Sequence, residues 1–171
     1  MNDCIKYDEC FSIELDNNLY TKYVFPKENQ KTITISNGLF KATIKVKDIK
    51  INPKSYWEIG GYDHQFGGRD ANCWLCGWYG MDYDECKCKN YYTLEEHKEN
   101  VKIARRNYLK TLFKNYFKDK VKLINELSDE QINNLLFDDS NNIRKIRLHF
   151  PSPYDYNNEI KKMSEYLNNI L

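Results

Sequence analysis

Apolar and polar residues alternate most regularly between residues 32 and 46. Thr32-Ile33-Thr34-Ile35-Ser36 is followed by Asn37-Gly38 and then by Leu39 to Val46. A period of two is the strand signature, and Asn-Gly is the preferred two-residue hairpin loop because both positions take positive φ. With that loop Ile35 faces Phe40 and Ile33 faces Ala42, all on one side of the sheet. Thr34, Lys41, Thr43, Lys45 and Lys47 fall on the other, solvated side. The alternation changes phase before Ile49, which predicts a bend near Lys47-Asp48. Upstream, Phe11, Ile13 and Leu15 suggest a short strand, Asp16-Asn17-Asn18 a turn, and Tyr20 to Phe25 a second strand.

From Leu94 the period lengthens. Val101, Ala104, Tyr108, Leu112 and Tyr116 recur at spacings of three and four, which predicts one helix over 94–124 capped by Thr93. Ser128-Asp129-Glu130-Gln131 reads as a capping box that opens a short helix ending near Phe137. Ile146, Leu148 and Phe150 alternate as a final strand before Pro151-Ser152-Pro153. Residues 157–170 form a last helix with Ile160, Met163, Tyr166, Leu167 and Ile170 inward. The fold class is therefore α+β in a single domain, 1–171. It has a β-rich antiparallel part over 1–55, a distinct segment over 56–92 and a mostly helical part over 93–171.

Segment 56–92 differs in composition. It holds all three Trp and six of the seven Gly, and it reads as loop-rich, so something must staple it. The staple is visible. Cys73-Trp74-Leu75-Cys76-Gly77 resembles a zinc knuckle, in which a tight turn brings two thiolates to one ion and Gly lets the backbone fold back. Cys86-Lys87-Cys88 supplies two more sulfurs. Its i, i+2 spacing requires a kink, because side chains on an extended chain alternate sides. Four thiolates complete the closed shell of structural Zn²⁺. The alternative ligand is His64 in place of one of Cys86 and Cys88. Cys4 and Cys10 read as small buried apolar residues.

Nothing marks that metal as catalytic. The His-x-Glu of zinc deaminases is absent, because Asp63-His64-Gln65 carries no Glu. His97 sits in an ordinary helical stretch, which does not suit the histidine of a zinc-supported nuclease. The chain reads as no enzyme, with no catalytic residue assigned.

Charge separates by segment. Overall, 26 Lys+Arg meet 25 Asp+Glu, for a net charge of +1. Segment 56–92 carries six acids against three bases, and four zinc-bound thiolates add to this. Nucleic-acid-binding knuckles are usually basic, so sequence-specific nucleic-acid recognition is not expected here. An acidic, aromatic tip suits a protein partner, and its candidate contacts are Trp74, Trp78, Tyr79, Asp82, Asp84 and Glu85. Residues 97–122 carry nine bases against Glu99 and Asp119. Arg105, Arg106 and Lys110 form the candidate patch there. The alternative function rests on that helix, as a nucleic-acid-binding protein or a zinc-supported nuclease.

No apolar run reaches the roughly 20 residues of a membrane span. No cationic stretch followed by apolar residues opens the chain, so a cytoplasmic location is expected. Aromatic content of 15% argues against disorder despite a mean hydropathy of −0.79. Lys, Asn, Ile and Tyr, all with AT-rich codons, supply 70 of 171 residues, which points to a low-GC bacterium or its phage. In size, codon bias, clustered cysteines and acidic aromatic surface, the chain resembles the small phage and prophage anti-CRISPR proteins that contain zinc. That resemblance implies a non-catalytic inhibitor in the bacterial host cytoplasm. It would bind an RNA-guided nuclease such as Cas9 and block DNA loading or cleavage.

Overall fold

The computed structural model describes residues 10–15, 18–24, 26–36, 41–63, 68–80, 86–140, 142–144, 146 and 156–171. Its strands, in chain order, are β1 (Cys10–Leu15), β2 (Asn18–Val24), β3 (Thr32–Ser36), β4 (Lys41–Lys45), β5 (Trp57–Asp63), β6 (Gly68–Cys73) and β7 (Tyr79–Gly80). Three helices follow: α1 (Leu94–Tyr116), α2 (Asp129–Leu136) and α3 (Asn157–Ile170). The strands form small antiparallel sheets, β1-β2, β3-β4 and β5-β6-β7, so the fold class is α+β. The chain divides into two compact units, residues 1–104 and 105–171, with the boundary inside α1.

The β3–β4 hairpin forms, but its register differs from the Asn-Gly reading. Ile33 lies opposite Ile44 and Ile35 opposite Ala42, and the ladder closes at Ser36 opposite Lys41. Four residues, 37–40, connect the strands instead of two, and they lie outside the described residues. A slip of two keeps every side chain on its expected face, pairing Ile33 with Ile44 and leaving Ile35 opposite Ala42. Ile33 and Ile35 are buried with Ile49, Ile51 and Leu94, and Ile44, Val46 and Tyr92 pack against that cluster. The bend expected near Lys47 is a 3₁₀ turn, Val46–Asp48.

Segment 56–92 is less loop-rich than its glycines suggest. The pairing of β5 with β6 shifts register between Ile59 and Tyr62, which places Gly60 and Gly61 at a bulge in a strand. Glycine here marks an irregular ladder, not the absence of one. Downstream, Ile51 and Tyr92 exchange backbone hydrogen bonds at 2.8 and 2.9 Å, which ties the end of this segment to the hairpin core.

Thr93 caps α1 as expected. Its Oγ1 accepts the Glu96 N–H at 3.2 Å, and Glu96 Oε2 accepts the Thr93 N–H at 2.9 Å. The long helix expected to Ile124 ends at Tyr116. Phe117 adopts φ −140°, ψ 56°, and residues Lys118–Asn125 wind as a 3₁₀ helix. Phe117 is buried, its ring 5.0 Å from Phe113. Apolar residues at 117, 121 and 124 fit either winding and no Gly or Pro marks the change, so periodicity alone could not place it. The α2 capping box is present, with Ser128 and Gln131 bonding reciprocally. Met163 and Leu167 of α3 are buried. The strand expected over 146–150 falls largely outside the described residues. Among the described residues no helix is long and apolar enough to cross a membrane.

Candidate metal centre

The knuckle grows out of β6. Cys73 ends that strand, and the chain turns back at once. Cys73 N–H donates to Trp78 O at 2.8 Å, and Gly77 N–H donates to Cys73 O at 2.8 Å. Gly77 has φ +77°, the left-handed region where a side chain would be strained. The turn aims amide N–H groups at sulfur. Cys73 Sγ accepts from Cys76 and Leu75, and Cys76 Sγ accepts from Trp78 and from Lys87 of the second pair. The second pair lies on an irregular stretch with a bend at Cys88, the kink that Cys-x-Cys spacing requires.

All four sulfurs, of Cys73, Cys76, Cys86 and Cys88, lie within 4.8 Å of one another. Cys73 Sγ is 3.6 Å from Cys88 Sγ, and Cys76 Sγ is 3.6 Å from Cys86 Sγ. A disulfide needs about 2.05 Å, and these cysteines are free. A tetrahedral ion with metal–sulfur bonds of about 2.3 Å has sulfur–sulfur edges of about 3.8 Å. The cluster has those dimensions and can hold a metal ion. Cys73 is buried, Cys86 and Cys88 half-buried and Cys76 exposed, so one edge of the site meets solvent.

The thiols show why an ion suits them. Burial raises Cys73 against the N–H groups of Cys76 and Leu75. Burial also pushes Cys88 up to about 11, although the Tyr92 hydroxyl donates to its sulfur. Burial acts on Cys76 too, but the N–H groups of Trp78 and Lys87 and the Cys73 and Cys86 sulfurs outweigh it and lower the thiol. A divalent ion replaces the held protons and offsets the repulsion among thiolates.

Tyr92 was not singled out by the sequence reading. Burial pushes its hydroxyl up to about 12, Lys89 N–H donates to it at 3.2 Å, and it bonds Cys88. It thus joins the sulfur cage to the strand pair with Ile51. Lys89 also reaches Glu96 at 2.8 Å, linking the ligand loop to the α1 cap. Such partners orient metal ligands. No short motif in the sequence marks them.

Trp74 is a correction. Expected at the exposed knuckle tip, it is only 2% exposed, and its backbone N–H donates to Tyr56 O at 3.0 Å. The turn packs against residue 56 and directs the indole inward. Trp78 is half-buried with its ring 5.7 Å from Trp57, whereas Tyr79 is 60% exposed. Arg105 is a second correction. It is buried, donates to Asn133 Oδ1 at 2.7 Å and lies 5.2 Å over the Phe137 ring. Arg106 donates to the carbonyls of Ile124 and Leu127 at 2.7 and 2.8 Å and pairs with Asp129 at 2.9 Å. Both arginines hold unit 105–171 together and do not form an open patch. Lys98 and Lys102 pair with Glu95 and Glu99 one turn earlier. Lys110 is half-buried. His64, Asp82, Asp84 and Glu85 lie outside the described residues.

His97 is buried beside Tyr56. The Tyr56 hydroxyl and His97 Nδ1 share a hydrogen bond of 2.6 Å, and Asn100 Nδ2 donates to Tyr56 Oη at 3.4 Å. Burial lowers the imidazole to about 4, so it is neutral at pH 7. Compared with protein-family models, with curated proteins and with solved structures, the chain matches none.

Proposed function

We propose that this chain is a non-catalytic binding module whose segment between Trp57 and Tyr92 is folded by one structural Zn²⁺. The observation that carries the reading is the sulfur cage itself. Four thiols surround one point, and knuckle amides point at two of them. Four protein ligands leave a tetrahedral ion no open position for water or substrate. His97, the nearest histidine in the sequence among the described residues, is hydrogen-bonded to Tyr56 inside the fold.

The finer reading is that the module binds a protein. Its support is the exposed Tyr79, two residues beyond the knuckle glycine and beside the acidic stretch 82–85. Aromatic anchors dominate such interfaces. The engagement of Arg105 and Arg106 within the fold counts against the alternative that α1 grips nucleic acid. The resemblance to anti-CRISPR proteins names an RNA-guided nuclease as the partner.

The test has two parts. Metal analysis of protein purified without a His-tag should find about one zinc per chain, and Cys76→Ser should lower both zinc content and melting temperature. Less than about 0.3 equivalents, or iron in place of zinc, overturns the metal assignment. DNA cleavage by Cas9 should then be inhibited by the protein and relieved by Tyr79→Ala. Unimpaired cleavage at saturating protein removes the nuclease from the reading.

A further inference from the structure

The near-zero net charge hides an uneven surface. Residues 26–57 carry seven lysines against Glu28 and Asp48. Lys27, Lys31, Lys41, Lys45, Lys47 and Lys50 are all exposed. None of these six ammonium groups forms an ion pair with a described residue. On α1, by contrast, Lys98, Lys102 and Arg106 are paired with Glu95, Glu99 and Asp129.

The β3–β4 register sorts these charges. Thr32 lies opposite Lys45, Thr34 opposite Thr43 and Ser36 opposite Lys41, so lysines and threonines share the face that points away from Ile33 and Ile35. Lys47 follows on the 3₁₀ turn. Beyond it, Lys47, Asp48, Ile49, Lys50, Tyr91, Tyr92 and Thr93 line a groove of about 570 Å³. Tyr91 in its wall is 50% exposed. The surface thus offers a track of ammonium groups and hydroxyls, ending at an accessible aromatic ring.

We propose that this face binds single-stranded nucleic acid without sequence preference, the phosphates following Lys41, Lys45 and Lys47 and a base stacking on Tyr91 at the groove. A row of cations explains affinity for any polyanion. The exposed ring at its end selects one that carries flat bases, since stacking adds to backbone attraction and tolerates every base. The lysines would also attract an acidic protein, and the test below separates the two occupants. The groove adjoins the sulfur cage through Tyr92, which lines the one and bonds Cys88 of the other, so the metal-loaded protein is the one to test.

Anisotropy of a labelled oligothymidylate of about 20 nucleotides, titrated with the full-length protein, tests it. Between about 50 and 200 mM salt, the log–log slope should be about −2 to −4, at about 0.7 per phosphate contacted. The triple variant Lys41→Gln/Lys45→Gln/Lys47→Gln should weaken binding about tenfold or more with unchanged melting. The charge-matched Lys114→Gln/Lys118→Gln/Lys122→Gln should weaken it about twofold at most. Tyr91→Ala should cost about fivefold on the oligothymidylate and nothing on an abasic oligonucleotide of equal length. Three results overturn the proposal. One is no binding at the lower salt. Another is equal loss from the two triple variants. The third is displacement by polyglutamate at equal charge together with a silent Tyr91→Ala, which assigns the face to an acidic protein.

Discussion

Trp74 shows how much one side chain's direction decides. Cys73 and Cys76 flank it, and a residue inside so tight a turn has few ways to reach a core. The Trp74 N–H bond to Tyr56 O brings the turn against the start of β5, and the indole is buried there. Trp74→Ala should therefore destabilise residues 1–104 by about 3–5 kcal/mol, the usual cost of emptying a large aromatic site. Tyr79→Ala should stay within about 1 kcal/mol. Thermal melts of the two variants check this, and a Trp74→Ala protein that melts like wild type would return the indole to the surface. His97 carries a second consequence. Its folded imidazole is lowered by burial to about 4, while an unfolded histidine titrates near 6.5. Between those values the unfolded chain binds the extra proton, so stability is complete above about pH 6.5 and falls as the pH drops toward 4. The loss amounts to about 3 kcal/mol over that window. His97→Asn, less stable at pH 7, should lose less between pH 7 and 4. Parallel denaturation profiles for the two proteins would show that His97 is not the titrating group.

At the scale of elements, the sequence was most legible where one local rule settles the matter. The Ser128-Gln131 capping box and the Thr93 cap follow from side chains that bond backbone within one turn, and α3 follows from the three- and four-residue spacing of its apolar side chains. The four cysteines were legible for the same reason, since knuckle spacing encodes its own turn. Legibility stopped where packing at a distance chose among locally equal options. The hairpin register is one case, because slips of two residues leave the alternation unchanged and each register offers one large apolar pair and one Ile–Ala pair. The winding beyond Phe117 is another. In β5, Gly60-Gly61 suggested loop, and only a partner strand turns it into a bulge. The arginines were misread because a helical row of cations looks solvent-facing in sequence. Arg105 and Arg106 instead reach Asn133, Ile124, Leu127 and Asp129, 18 to 28 residues downstream. Tyr92 was silent, since a tyrosine four residues after a ligand has no fixed meaning without the coordinates.

At the scale of the whole molecule, the two units differ in what holds them. The buried side chains of unit 105–171 include Tyr108, Leu109, Phe113, Ile124, Ile132, Leu135, Leu136, Met163 and Leu167. Arg144 adds bonds to Leu135 O at 3.1 Å and to Glu159 at 2.8 Å. Unit 1–104 relies on short sheets, and isolated hairpins of this length are marginal in water. On the proposed zinc reading, its knuckle segment is folded by the ion. Structural zinc contributes on the order of 10–16 kcal/mol of apparent binding energy at pH 7, as much as the whole stability of a typical domain. Removing the metal should thus unfold the stretch between Trp57 and Tyr92 and leave the helices beyond Arg105 formed. With a chelator at pH 7, amide exchange should lose protection across β5 to β7, while α2 and α3 keep theirs and most helical circular dichroism persists. Thermal unfolding followed by tryptophan fluorescence should separate from unfolding followed at 222 nm, because all three tryptophans lie in the metal-dependent stretch. Coincident loss of both signals on chelation would mean that the ion supports the entire chain, and the division of stability between the two units would have to be given up.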